Sequence, residues 1–197
     1  MHRYALVSAA LAPVALIGGW TLAATRQPAA YDATRDTISA LAAVGADDRW
    51  VMTTGFVVLG ACHVVTALGL TEARPLGRLV LGAGGVAVLG VAVLAEPATA
   101  HVPVATASFV ALSLWPALSR VPSRRAGWVA SGVLSALLVW FAVELGGPRS
   151  GLSERVVAGA QAVWPLAAAR ALRRRLRLGR AGGPGQESNE AMSITKR

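Results

Sequence analysis

Residues 51–70 read VMTTGFVVLGACHVVTALGL, twenty positions without a single Asp, Glu, Lys or Arg. At about 1.5 Å of rise per residue, a helix of this length spans roughly 30 Å, the thickness of the hydrocarbon core of a bilayer. The apolar residues are continuous and drawn from Ala, Leu, Val and Gly. A strand of a membrane barrel would alternate apolar with polar. The run therefore reads as a transmembrane helix, and the question becomes how often the pattern recurs.

It recurs on both sides. Comparable runs cover about 4–25 upstream and 79–95, 102–119, 127–145 and 154–172 downstream. The whole chain is 54% hydrophobic and only 15% charged, with mean hydropathy +0.53. A soluble domain carries about 25% charged residues and breaks its apolar runs sooner. The expected fold is all-α: a polytopic membrane protein, a bundle of six transmembrane helices with a short outward-facing amphipathic cap helix. Residues 1–174 form this one domain. Residues 175–197 form a basic tail, read as disordered from Gly179 onward on its Gly, Pro, Ser and Glu content. The first run is longer than the core of a cleaved signal peptide, so it is read as a retained anchor.

Charge gives the orientation. The net charge of +9 would suggest nucleic acid in a soluble protein. Here fourteen of the nineteen basic residues fall on the side of the termini: Arg3, Arg74, Arg78, Arg120, Arg124, Arg125 and the eight from Arg170 to Arg197. The opposite side carries Arg26, Arg35, Arg49, Arg149 and Arg155 together with seven acids. Positive residues concentrate in cytoplasmic loops, so both termini are expected in the cytoplasm and nucleic acid is not an expected partner. Membrane lipids are, with anionic headgroups expected at Arg173, Arg174, Arg175 and Arg177.

The longest polar connection is 31–50, YDATRDTISALAAVGADDRW, with four of the ten acids. Within it, Ile38, Leu41 and Val44 recur at near-helical spacing. Asp36 stands at an N-cap position and Gly45 at a C-cap position, giving a cap helix over residues 34–45. The segment is too short to cross a bilayer and lies on its surface.

Polar and ionisable groups collect on that outer side: Arg35, Asp36, Ser39, His101, Glu154 and Arg155 form the candidate ligand site, with Glu96 and Glu144 nearby. Three of them suggest chemistry, with His101 as base, Asp36 as its orienter and Ser39 as nucleophile. The competing reading is structural, with Asp36 capping the loop helix, Ser39 bonding backbone and an arginine pairing with a carboxylate. No nucleophile-elbow pattern accompanies them. His63 lies roughly 18 Å below the outer boundary by helical rise, too deep to share a haem with His101. It is read as a neutral imidazole hydrogen-bonded between helices. No spacing suits a metal, no glycine loop suits a phosphate, and no cofactor is expected. Cys62, the single cysteine, sits within a span and reads as packing. Trp115-Pro116 and Trp164-Pro165 form a small echo between spans four and six.

The order of RDTIS (35–39), W-x-M-x-x-x-F-x-x-x-G (Trp50, Met52, Phe56, Gly60), a Pro and His ahead of span four, and GLSER (151–155) resembles the domain of unknown function 998 family. Those are six-helix bacterial integral membrane proteins, and the similarity covers about residues 4–174. The turn before span four departs from the family pattern, since Glu96-Pro97 stands close ahead of His101. The resemblance implies six spans, a bacterial cytoplasmic membrane and outward placement of Asp36, Ser39, His101, Glu154 and Arg155. It implies no activity.

Three functions follow as expectations. The first is a non-enzymatic bundle that binds lipid or a small partner through a polar outer site. The second is an outward-facing hydrolase or transferase using Asp36, Ser39 and His101. The third is a small transporter, which would need an open polar cavity reaching His63.

Overall fold

The computed structural model describes residues 1–181, and these fold as six α-helices: α1 (Arg3–Ala24), α2 (Trp50–Gly69), α3 (Pro75–Val93), α4 (His101–Ser119), α5 (Arg124–Glu144) and α6 (Ser150–Ala181). No strand occurs among the described residues. Helices adjacent in sequence pack against each other, and α6 returns to α1, so the bundle closes as a ring. Short connections force antiparallel neighbours from α2 onward, and the His2 N–H bonded to the Gly69 carbonyl sets α1 antiparallel to α2. Residues 25–49, 94–100 and 145–149 therefore lie at one end and residues 70–74 and 120–123 at the other.

Five helices, α1 to α5, are long and apolar enough to cross a membrane. Their outward faces carry Val7, Val14, Leu79, Val86, Val102 and Val143, all exposed. Such a surface is untenable in water and ordinary in lipid. The sixth helix is more polar than the others, because Glu154, Arg155, Gln161 and the arginines from Arg170 interrupt its apolar face. It also continues to Ala181, past the boundary at residue 174, since Arg and Leu are strong helix formers. The tail expected to be disordered lies, from residue 182 on, outside the described residues.

Small residues set the helix spacing. A β-carbon at Gly60 would lie 2.7 Å from the Gly85 carbonyl oxygen, and one at Gly85 would lie 2.7 Å from that of Gly60. Helices α2 and α3 therefore touch backbone to backbone. Cys62 is buried in the interior, as a packing residue would be. Helix ends are finished locally: Pro75 occupies the first turn of α3, the Ser123 hydroxyl accepts the Ala126 N–H at the start of α5, and Arg78 donates to the Ala67 and Leu68 carbonyls at the end of α2.

The buried polar groups lie between helices. Ser8 and Thr66 share a 2.8 Å hydrogen bond between α1 and α2, and Gln161 of α6 donates to the Phe109 carbonyl and the Ser113 hydroxyl of α4. His63 does not follow this rule. Its ring is fully buried and neither nitrogen has a hydrogen-bond partner, contrary to the interhelical bond expected of it. The two echoing tryptophans behave alike, for both indole N–H groups are buried without an acceptor.

Candidate functional site

The cap over residues 34–45 is smaller than expected. It holds one 3-10 turn, Ser39–Ala42, anchored by the buried side chains of Ile38 and Leu41. Asp36 is not its cap. The Thr37 hydroxyl accepts the Ala40 N–H, while Asp36 Oδ2 accepts the Asp32 N–H at 2.8 Å and Asp32 Oδ1 accepts that of Thr34. Asp carboxylates readily capture nearby backbone N–H groups in this way, which here diverts Asp36 from the helix. The Thr34 N–H, with further support from Arg35, holds the Asp32 carboxyl below its ordinary range.

The two motifs, far apart in sequence, meet. The first N–H groups of a helix have no partner within it. In α6 those of Gly151 and Leu152 donate to the carbonyls of Arg35 (3.1 Å) and Thr34 (2.8 Å). The approach requires a glycine, because a β-carbon at Gly151 would sit 2.2 Å from the Asp36 carbonyl oxygen. One turn later Arg155 spends its guanidinium on the same loop. Nη1 donates to Ala33, Asp36 and Gly151 carbonyls at 2.8–2.9 Å, and Nη2 to the Tyr31 hydroxyl. Burial pushes the Tyr31 phenol upward against the opposing pull of Arg155.

Glu154 faces the other way. Only 3% exposed, it accepts the Ile38 N–H on Oε2 and the Ser39 hydroxyl on Oε1 at 3.4 Å. His101, at the first turn of α4, is 4% exposed; Nδ1 lies 2.8 Å from the Leu94 carbonyl and Nε2 lies 3.6 Å from Glu96 Oε1. The Glu96 carbonyl in turn accepts the Val44 N–H, tying the loop to the turn before α4.

Ser39, Glu96, His101 and Glu154 thus converge on one cavity of about 340 Å³, with Thr37 also in its lining. Below them the lining turns apolar, with Ala105 and Phe109 from α4 and Leu138, Val139 and Phe141 from α5. The Phe109 and Phe141 rings, 5.4 Å apart, join the two helices across it. Every buried residue of α5 belongs to its first half, ending at Leu134. Its second half is half-buried or exposed throughout, and Val102, Val139 and Leu145 are both cavity lining and outer surface. The cavity is a groove open sideways, toward the space lipid chains fill. Behind Ser39 and Glu154 a smaller chamber of about 40 Å³ runs inward past Ser108 and Gln161 to His63.

The six candidate residues divide into two sets. Ser39, His101 and Glu154 line the groove. Arg35, Asp36 and Arg155 build the junction and turn their side chains elsewhere; Arg35 is exposed, with Nε 3.9 Å from Asp36 Oδ1. The relay Asp36–His101–Ser39 does not form, because the Asp36 carboxylate, the His101 Nδ1 and the Ser39 hydroxyl each have another partner. Glu96, Thr37, Gly151, Tyr31 and Gln161 were not among the candidates. For Gln161 a signal existed, since it is the one amide inside the apolar run of α6. No group of three His, Cys, Asp or Glu suited to a metal occurs among the described residues.

Among known proteins, a family model described as "Protein of unknown function (DUF998)" matches residues 10–171. No curated protein and no solved structure matches the chain.

Proposed function

The chain belongs to the DUF998 family, whose function is unknown, and from that starting point we propose that it binds a membrane amphiphile in the groove between α4 and α5, without catalysing a reaction. The observation that carries this reading is the composition of the groove along its length. One end has two carboxyl groups, an imidazole and two hydroxyls under a fixed loop, and the rest has walls that are apolar apart from Thr106 and open to the side. That is the shape of a headgroup site joined to a chain site. Its volume of about 340 Å³ falls in the range of roughly 300–1,000 Å³ usual for ligand pockets.

The arginine asymmetry supports a placement in a bacterial cytoplasmic membrane with both termini inside and the groove outside. At the opposite end, exposed Arg174, Arg175 and Arg177 on α6, beside half-buried Arg173, suit contact with anionic headgroups of the inner leaflet. The hydrolase or transferase reading has less support, because its three residues lie in separate hydrogen-bonded groups. Transport has less still, since a chamber of about 40 Å³ at His63 admits no more than a few waters.

A groove-filling substitution tests the proposal. Thr106→Trp and Ala142→Trp replace exposed lining residues and leave the junction intact. Saturable binding of a dansylated alkyl chain to the protein in nanodiscs should fall at least about tenfold in both. Unchanged binding in both variants overturns the reading, and accessibility of a cysteine placed at residue 147 to an impermeant thiol reagent checks the orientation.

A further inference from the structure

The groove reading leaves open which headgroup the outer end accepts, and the charges there are one-sided. Two carboxylates, Glu96 and Glu154, face the cavity, and no arginine or lysine lines it. The nearest guanidinium in sequence, Arg155, is committed to three carbonyls and a phenol on the far side of the loop. No ion pair to Glu154 occurs among the described residues, and Glu96 has only the His101 ring at 3.6 Å. A carboxyl group buried to 3% exposure is held by one N–H and one hydroxyl, without an ion-pair contact among the described residues.

A second observation is independent of the acids. The chamber behind Glu154 ends on His63, fully buried, with both ring nitrogens unpartnered. A neutral imidazole offers one acceptor and one donor. Along this line the groove presents two carboxyl groups, and no arginine or lysine lines either space. A phosphate or carboxylate head would face two carboxylates with no cation to receive it. A hydroxyl head would bring them one donor and no charge.

We infer that the occupant is a single-chain amphiphile with a primary ammonium head, its N–H groups on Glu154 and Glu96 and its chain between α4 and α5. A single chain follows from the volume, which is at the low end for a ligand pocket. This assignment rests on the groove reading of the previous section and is tested so that the two can fail separately.

The protein is titrated in zwitterionic nanodiscs at neutral pH with dodecylamine, dodecanol and dodecanoate, against protein-free nanodiscs, with the change in melting temperature as readout. Dodecylamine should bind at least about tenfold more tightly than the other two, the ratio expected of charge-assisted hydrogen bonds. Glu154→Gln, which keeps an acceptor for the Ile38 N–H, and Glu96→Gln, whose contact with the loop is through its backbone, should each reduce that preference several-fold. Equal saturable binding of the three overturns the ammonium head and leaves the groove standing. So does a preference that survives both substitutions. Binding of none of the three overturns the groove itself, and the inference with it.

Discussion

The two walls of the groove are built in opposite ways. One wall, the loop over residues 31–39 laid on the start of α6, is a closed hydrogen-bonded unit. Backbone N–H groups of Gly151 and Leu152, the Arg155 guanidinium and the Glu154 carboxylate all reach across to it. The other wall, the second half of α5, has no buried residue beyond Leu134 and touches α4 through Phe141. The first wall has specific geometry and so can recognise a head; the second is held by apolar contact alone and can yield to a chain. Stability within one domain is distributed in this uneven manner, and sites that must admit a ligand draw on the weaker regions.

The sharpest way to break the contrast is at Gly151. Gly151→Ala places a methyl group 2.2 Å from the Asp36 carbonyl, and neither backbone can retreat without losing the junction. A loss of at least about 3 kcal/mol is expected, seen as a lower melting temperature and faster protease cleavage within residues 31–49. Next in size is Arg155→Ala, which strands the Ala33 and Asp36 carbonyls and the Tyr31 hydroxyl. About 3 kcal/mol or slightly less should be lost, and Arg155→Lys should recover only part of it, because an ammonium cannot reproduce the planar fork. On the other wall, Phe141→Ala should cost only about 1 kcal/mol, since the ring is half-exposed, while changing ligand affinity more than stability. If Phe141→Ala proved as damaging as Gly151→Ala, the contrast would be wrong.

The smallest effect concerns pH. The Asp32 carboxyl is held low by the Thr34 N–H, so its folded value lies below its unfolded one. The stabilisation it gives is present above the unfolded value, near pH 4, and is lost as pH falls through the folded value. Acidification should therefore loosen residues 31–37 slightly, measured as loop proteolysis, with Asp32→Asn removing the dependence. Asp48, held low by hydrogen bonds from Arg26 and the Trp50 ring, follows the same sign at the loop's other end.

How much of this could be read in advance follows the same division. Runs of about twenty apolar residues located α1 to α5 within a few positions, because helix length in a membrane answers to one physical dimension; α6 was located but not its length. RDTIS and GLSER were visible as pieces, and the cluster Ser39, His101 and Glu154 was visible as polar groups on one side. That the two motifs grip each other was not, since it depends on α6 arriving beside a loop more than a hundred residues earlier. Asp36 misled because capping logic assumes a helix to cap, and the Asp32 N–H was a nearer donor. The groove itself left no trace. The second half of α5, LLVWFAVE, is as apolar as any packed helix, and only the fold reveals that it stands apart.

Because the loop carbonyls are received by the first turn of α6, the order of synthesis bears on when the site exists. A nascent chain that has delivered α1 to α5 to the membrane already possesses both apolar sides of the groove, His63 and His101. It has no Glu154, and nothing yet holds the Thr34, Arg35 and Asp36 carbonyls in place. The headgroup end is completed in a single late event, the insertion of the last helix, so premature chains present an open apolar cleft without a recognition element. A half-made bundle would carry a loose loop at this end until α6 arrives.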